Sequence, residues 1–160
     1  MAMTMKTEGL TELSEMISSL ADRAEDVATG ALFDGAAVVA DEFRNAIGRI
    51  ATEPFRWGTA NNPRLPSPEE KAALLGKSGI AEFRKNGSEV DTLIGITGSA
   101  GYANIGGKAK AVRLIARSIN SGTSFMVKQP IFRRAKSSSA GKAKAAMVAK
   151  AEEMLQERIK

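Results

Sequence analysis

The apolar rhythm of the front part of the chain, and the abruptness with which it stops, constrain the fold most. Leu32, Ala36, Val39, Phe43, Ile47 and Ile50 recur at steps of four, three, four, four and three. That 3.6-residue period predicts an amphipathic helix over 26–49, about 36 Å long at 1.5 Å per residue. Gly30 and Gly35 either weaken its first half by propensity or instead permit close approach of another backbone. Upstream, Leu10, Leu13, Ile17 and Leu20 mark a separate short helix over 9–21, with Thr7 as its N-cap. Glu8, Glu12 and Glu15 sit near its start, where the helix dipole favours negative charge. Downstream the rhythm ends at 51–66, which holds Pro54, Pro63 and Pro66 around Asn61 and Asn62. This stretch is a loop. It is expected to be mobile, in a chain whose residues 1–160 form a single domain.

Ser67-Pro68-Glu69-Glu70 carries the signature of a reciprocal cap, and predicts a short helix over 68–75 stopped by Gly76. Asn86-Gly87 then predicts a two-residue hairpin turn between strands 80–85 and 88–97. In that register Arg84 faces Glu89, Phe83 faces Val90 and Ile80 faces Leu93. Residues 98–107 are glycine-rich. Neither Gly76-Lys77 nor Gly107-Lys108 has the glycine five positions earlier that a phosphate loop needs. Val112, Ile115 and Ile119 favour a helix over 108–120, ended by Ser121-Gly122, although the Val112/Leu114 alternation also suits a strand. Residues 125–132 read as extended, since Pro130 biases Gln129 away from helix. A last helix is predicted over 139–158, with Ala143, Met147, Ala151, Met154 and Leu155 as its stripe. The expected class is α+β: a long N-terminal helix and a C-terminal helix packed on a small antiparallel β-sheet.

Charge narrows the function. Residues 1–53 carry ten acids and four bases, whereas 106–150 carry eleven Lys/Arg and no acid. Three readings follow: a nucleic-acid surface, a head-to-tail contact between copies, or a solvated charged face. The chain has no Cys and no His. Disulfides, Cys/His zinc sites, thiolate nucleophiles and imidazole-based proton transfer are therefore excluded. Asp41-Glu42 and Glu152-Glu153 are adjacent pairs that diverge on a helix, so they make poor metal ligands. No catalytic residue, metal site or cofactor is predicted. With no membrane span or apolar signal core, the expected compartment is intracellular.

Phe55, Arg56 and Trp57 stand together in the 51–66 loop, which is either tucked under the domain or reaching for a partner, since aromatics with Arg are the usual anchors of interfaces. Arg133-Arg134-Ala135-Lys136, with Lys142 and Lys144 beyond, is dense enough to contact phosphates. Only Phe125 and Phe132 offer rings to stack on bases, so such binding would be non-specific.

The order of elements, the opening Glu8-Gly9-Leu10-Thr11-Glu12-Leu13, and the run from Gly122-Thr123-Ser124 through Gln129-Pro130-Ile131-Phe132-Arg133 to Ala135 resemble the tail-component family of tailed bacteriophages. These are neck or tail-completion proteins of head–tail joining. The resemblance implies a non-enzymatic structural subunit of the virion, assembled in the host cytoplasm. It implies a homo-oligomeric ring, six-fold, between a head connector or head-closure protein and a tail tube or tail terminator protein. DNA would pass through the lumen without sequence readout. Phe55, Arg56, Trp57, Lys128, Arg133, Arg134 and Lys136 are the candidate interface residues, and no membrane is involved.

Overall fold

A computed structural model describes residues 8–86, 89–96 and 101–157. Helix α1 runs unbroken over Glu8–Gly48. The two helices expected at 9–21 and 26–49 are therefore one, about 60 Å long. The physical reason lies at the presumed joint, Ala21-Asp22-Arg23-Ala24-Glu25-Asp26, which contains neither Gly nor Pro to stop a helix. Thr7, and the side chains of Leu10, Leu13, Ile17 and Leu20, lie outside the described residues.

Helix α4, Ile131–Glu157, lies antiparallel against α1: Gly30 meets Met154, Gly35 meets Met147, and the Phe43 ring stacks on Phe132 at 5.2 Å. What approaches the two glycines is thus a pair of methionine side chains, not a backbone. A Cβ at Gly35 would stand 2.5 Å from Met147 Cγ. Small residues line the contact, with Ala31, Ala36 and Ala40 on α1 and Ala135, Ser139 and Ala143 on α4 all buried. Leu155, expected in the α4 stripe, is exposed.

Helix α4 also starts eight residues earlier than expected. Pro130 immediately precedes it, where a missing N–H costs nothing. The Phe132 N–H donates to Asn120 Oδ1 at 3.1 Å, so a side chain from a distant segment caps the first turn. No local pattern announces such a cap.

Helix α2 spans Pro68–Lys77 with the capping box in place. Glu70 N–H donates to Ser67 Oγ at 3.3 Å, and Ser67 N–H donates to Glu70 Oε2 at 2.9 Å. The helix passes through Gly76 before ending. From α2, Lys71 Nζ donates to the carbonyls of Gly48 at 2.6 Å and Ile50 at 3.3 Å. A cation thus satisfies the last carbonyl of α1 and one just beyond it, at the helix's negative end.

Strands β1 (Ser78–Ile80) and β4 (Ile94–Ile96) pair antiparallel, as do β2 (Arg84–Asn86) and β3 (Glu89–Asp91). They are two ladders of one hairpin, broken where residues 81–83 oppose 92–93, three against two, as in a bulge. The register differs from expectation. Arg84 faces Asp91, Lys85 faces Val90 and Asn86 faces Glu89, so residues 87–88, outside the described set, link the strands. A two-residue slide keeps each side chain on its own face, so Arg84 still meets an acid. Ile80 pairs with Ile94 rather than Leu93. Phe83 leaves the ladder and packs on Phe33, with ring centroids 6.0 Å apart.

A second hairpin, β5 (Tyr102–Ile105) and β6 (Lys108–Ala111), occupies part of the glycine-rich stretch and the start of the expected 108–120 helix. Gly106 (φ 59°) and Gly107 (φ 72°) turn it, the left-handed pair that a tight hairpin turn demands. Helix α3 is the shorter Val112–Ser121. The α+β class holds, with the long terminal helices packed beside small antiparallel ladders.

The core gathers where α1 ends. Phe43 and Ile47 of α1, with Ile50 just after it, meet Leu74 of α2, Ile105 of β5, Val112, Ile115 and Ile119 of α3, Met126, and Ile131 of α4. Helix α3 ends at Gly122, with φ 74° and ψ 163°, a region open essentially to glycine alone. A Cβ there would also lie 2.9 Å from Lys128 Cβ. Gly122→Ala is therefore expected to lower unfolding free energy by roughly 1–3 kcal/mol. Chemical denaturation followed by circular dichroism measures this, with the native helical spectrum retained.

Candidate interaction surface

The 51–66 segment is tied down along its length. The Ala51 N–H donates to Gln129 Oε1 at 2.9 Å, and Gln129 Nε2 donates back to the Ala51 carbonyl at 3.0 Å. This two-point amide clamp joins the chain after α1 to the residues before α4. Farther on, Arg64 N–H donates to the Phe125 carbonyl at 3.0 Å, and Val127 N–H donates to the Arg64 carbonyl at 2.9 Å. Arg64 is then held through its side chain. Its guanidinium makes a fork with Glu70, Nη1 to Oε2 at 2.6 Å and Nη2 to Oε1, with both side chains buried. Arg64 also lies over the Phe55 ring, 5.1 Å from its centroid.

Phe55 and Trp57 form an edge-to-face pair with centroids 5.2 Å apart. Lys110 Nζ lies 5.2 Å from both ring centroids and Lys108 Nζ 5.8 Å from that of Trp57. Cations of β6 thus sit against the π-faces of the loop, a favourable electrostatic contact.

Beyond Trp57 opens a groove of about 870 Å³. Its walls come from four separate segments: Trp57 from the loop, Tyr102 from β5, Leu114 from α3, and Phe125 from the turn before α4. These four large side chains are 62, 66, 55 and 56% exposed, a concentration of apolar surface that isolated exposed residues do not make. Lys110 and Arg113 also line it, and the acid that does so, Glu70, is neutralised by Arg64. The surface is apolar at its centre and cationic at its edge.

The residues singled out from sequence are divided by the fold. Phe55 and Trp57 belong to this surface. Arg56 is committed within its own loop: it pairs with Glu53 at 3.0 Å and donates to the Asn62 carbonyl, Asn62 Oδ1 and the Pro63 carbonyl. Lys128 is exposed and packs its Cβ beside Gly122. Arg133, Arg134 and Lys136 are exposed on the first turns of α4 and do not line the groove. Arg134 instead borders a shallow cleft with Glu42, Arg49 and Ser137. Tyr102 and Leu114 were not singled out. Leu114 had a signal: it falls outside the Val112, Ile115, Ile119 stripe, yet is apolar between Arg113 and Arg117.

Part of the charge asymmetry is satisfied within one chain. Lys142 Nζ of α4 meets Glu42 Oε1 of α1 at 2.6 Å, and Lys85 of β2 pairs with Glu25. Among the described residues there is no group of three or more Asp or Glu placed to hold a metal, and no helix long and apolar enough to cross a membrane. Compared with protein-family models, with curated proteins and with solved structures, the chain matches none.

Two outcomes follow. Glu70→Ala leaves the Arg64 charge buried without its partner and is expected to cost about 3–5 kcal/mol. The double change Arg64→Met with Glu70→Leu should recover much of that loss, as read by thermal and chemical unfolding. The hydrogen bond from Lys142, helped by one from Ser138, holds the Glu42 carboxyl below its ordinary pKa of 4.5. A carboxyl lowered in the fold contributes stability above its ordinary pKa and loses that contribution as pH falls through the folded value. Lys142→Met should raise the Glu42 pKa toward 4.5, seen by NMR titration. The gap in melting temperature between the two proteins should close as pH drops from neutral into that acid range.

Proposed function

We propose that this chain is a structural subunit of the neck or tail-completion type in a tailed bacteriophage, acting by self-assembly into a ring rather than by catalysis. The observation that carries the reading is an exposed apolar groove edged by Lys and Arg, in a chain whose acids concentrate at the opposite end of its sequence. Opposed charge on two different surfaces of one subunit favours a heterologous, head-to-tail contact, and such contacts close into rings when the rotation permits. The resemblance of the 8–13 and 122–135 segments to the tail-component family supplies the biological setting. Two motif positions have structural work consistent with it. Gln129 clamps the chain before α4, and Gly122 ends α3 in a conformation reserved for glycine. In this reading the ring has six-fold symmetry and stacks between a head connector or closure protein and a tail tube or terminator. DNA moves through its lumen without base readout, in a virion assembled in the host cytoplasm.

Non-specific nucleic-acid binding is the second reading. It rests on the acid-free stretch 106–150, whose Arg133, Arg134 and Lys136 stand exposed together on the first turns of α4.

The deciding experiment is solution mass by light scattering across protein concentration, on nucleic-acid-free material, with duplex-DNA affinity measured over a salt series. A discrete closed oligomer is expected. The triple change of Arg133, Arg134 and Lys136 to Glu should weaken any DNA contact and flatten its salt dependence. A monomer at every concentration overturns the self-assembly reading. If that monomer binds DNA with a steep loss in salt, the second reading takes its place.

A further inference from the structure

We infer that the Trp57–Tyr102–Leu114–Phe125 groove is a receptor for the first four turns of α1 from a second copy of this chain. The inference rests on the self-assembly reading and names the contact that would build it.

The groove has the chemistry of a site that takes an amphipathic helix. Its four large walls are each more than half exposed, and they converge from the loop, β5, α3 and the turn before α4. Its edge carries Lys110 and Arg113, with Lys108 against the Trp57 ring. Its one lining acid, Glu70, is already engaged by Arg64. A matching occupant is a helix with an apolar stripe and acidic flanks.

The start of α1 has that composition. Residues 8–22 hold Glu8, Glu12, Glu15 and Asp22 and no Lys or Arg. Within them Leu10, Leu13, Ile17 and Leu20 stand at i, i+3, i+7 and i+10, the spacing by which helices anchor in grooves. The helical backbone of this part is present, within Glu8–Gly48. It also extends past its partner helix. Met154 of α4 sits against Gly30, and the described part of α4 ends at Glu157, less than one turn further. Residues 8–22 therefore run as roughly 22 Å of helix past the described end of α4. Docking that stretch into the groove of the next copy is head-to-tail, so each subunit presents one groove and one helix. Charge complementarity sets its direction, because an acidic helix meets a cationic rim.

The full chain, with its oligomeric mass measured by sedimentation velocity, tests this. Leu114→Asp disables the groove at an exposed position, and Leu13→Asp with Ile17→Asp disables the helix. Each protein alone should be monomeric with native circular dichroism. Mixed in equal amounts they should give a heterodimer and nothing larger, because one intact groove meets one intact helix. If Leu114→Asp does not fold, Lys108→Glu with Lys110→Glu replaces it, and adding Glu12→Lys with Glu15→Lys should restore assembly. Wild-type mass in the single variants, a mixture that stays monomeric, or a charge exchange that restores nothing overturns the inference. A monomeric wild type overturns it too. If that monomer binds single-stranded DNA and loses it on Leu114→Asp, the groove belongs to nucleic acid. A closed oligomer indifferent to every variant removes this contact and leaves the ring. An open, growing chain of copies that all the variants abolish keeps the contact and removes the ring.

Discussion

The Arg64–Glu70 pair is the interaction on which the rest of the structure turns. One carboxylate accepts the guanidinium fork and the Ser67 N–H, so the same acid caps α2 and neutralises a buried cation. Taking two charges out of water is costly, and only a fork geometry with further hydrogen bonds offsets it. Having met that requirement, the pair fixes Arg64, whose backbone bonds hold the 51–66 loop to the Phe125–Val127 turn. The loop in turn carries Phe55 and Trp57 against the β6 lysines. Removing one charge therefore reaches the cap, the loop and the groove together.

Around this anchor the helices are joined by small residues and by long-range polar clamps. The α1–α4 contact is lined by Ala and Ser, with Met147 and Met154 filling the space left by Gly35 and Gly30. Unbranched methionine suits that duty, since it adapts to irregular gaps. Gln129 and Lys71 then both hold the chain where it leaves α1, one by an amide pair on Ala51 and the other by capping the Gly48 and Ile50 carbonyls. These contacts make a firm platform at the C-terminal end of α1. The acidic N-terminal turns lie at the far end of the same helix. In the proposed assembly the apolar, cationic end of one subunit meets the acidic helix start of the next.

Much of the fold was legible in the sequence because it rests on local rules. The Ser67–Glu70 cap, the glycine that ends α3, the hairpin near residue 87 and the helical stripe to Ile50 each arise from neighbours a few residues apart. What misled was also local. A change of stripe near residue 21 looked like a break, although no residue there stops a helix. Asn86-Gly87 has the composition of the turn, yet Asn86 pairs with Glu89 inside the ladder, two residues from the expected register, and the bulge opposite 92–93 leaves the outer ladder only one residue from it. The Gly106-Gly107 pair holds two successive left-handed residues, which is hairpin chemistry rather than phosphate chemistry.

By itself the sequence determined the α+β class, the capped start of α2, the absence of thiol and imidazole chemistry, and the separation of acid from base along the chain. Those follow from periodicity, capping and counting. Tertiary structure alone decided where α4 begins, since its cap is Asn120 from another segment. It also decided that Arg56 is spent on its own loop while Trp57 faces outward, and that Tyr102, Leu114 and Phe125 gather beside it. The reason is the same in each case. Exposure and partnership are properties of segments distant in sequence, and only the packing that brings them together can set them.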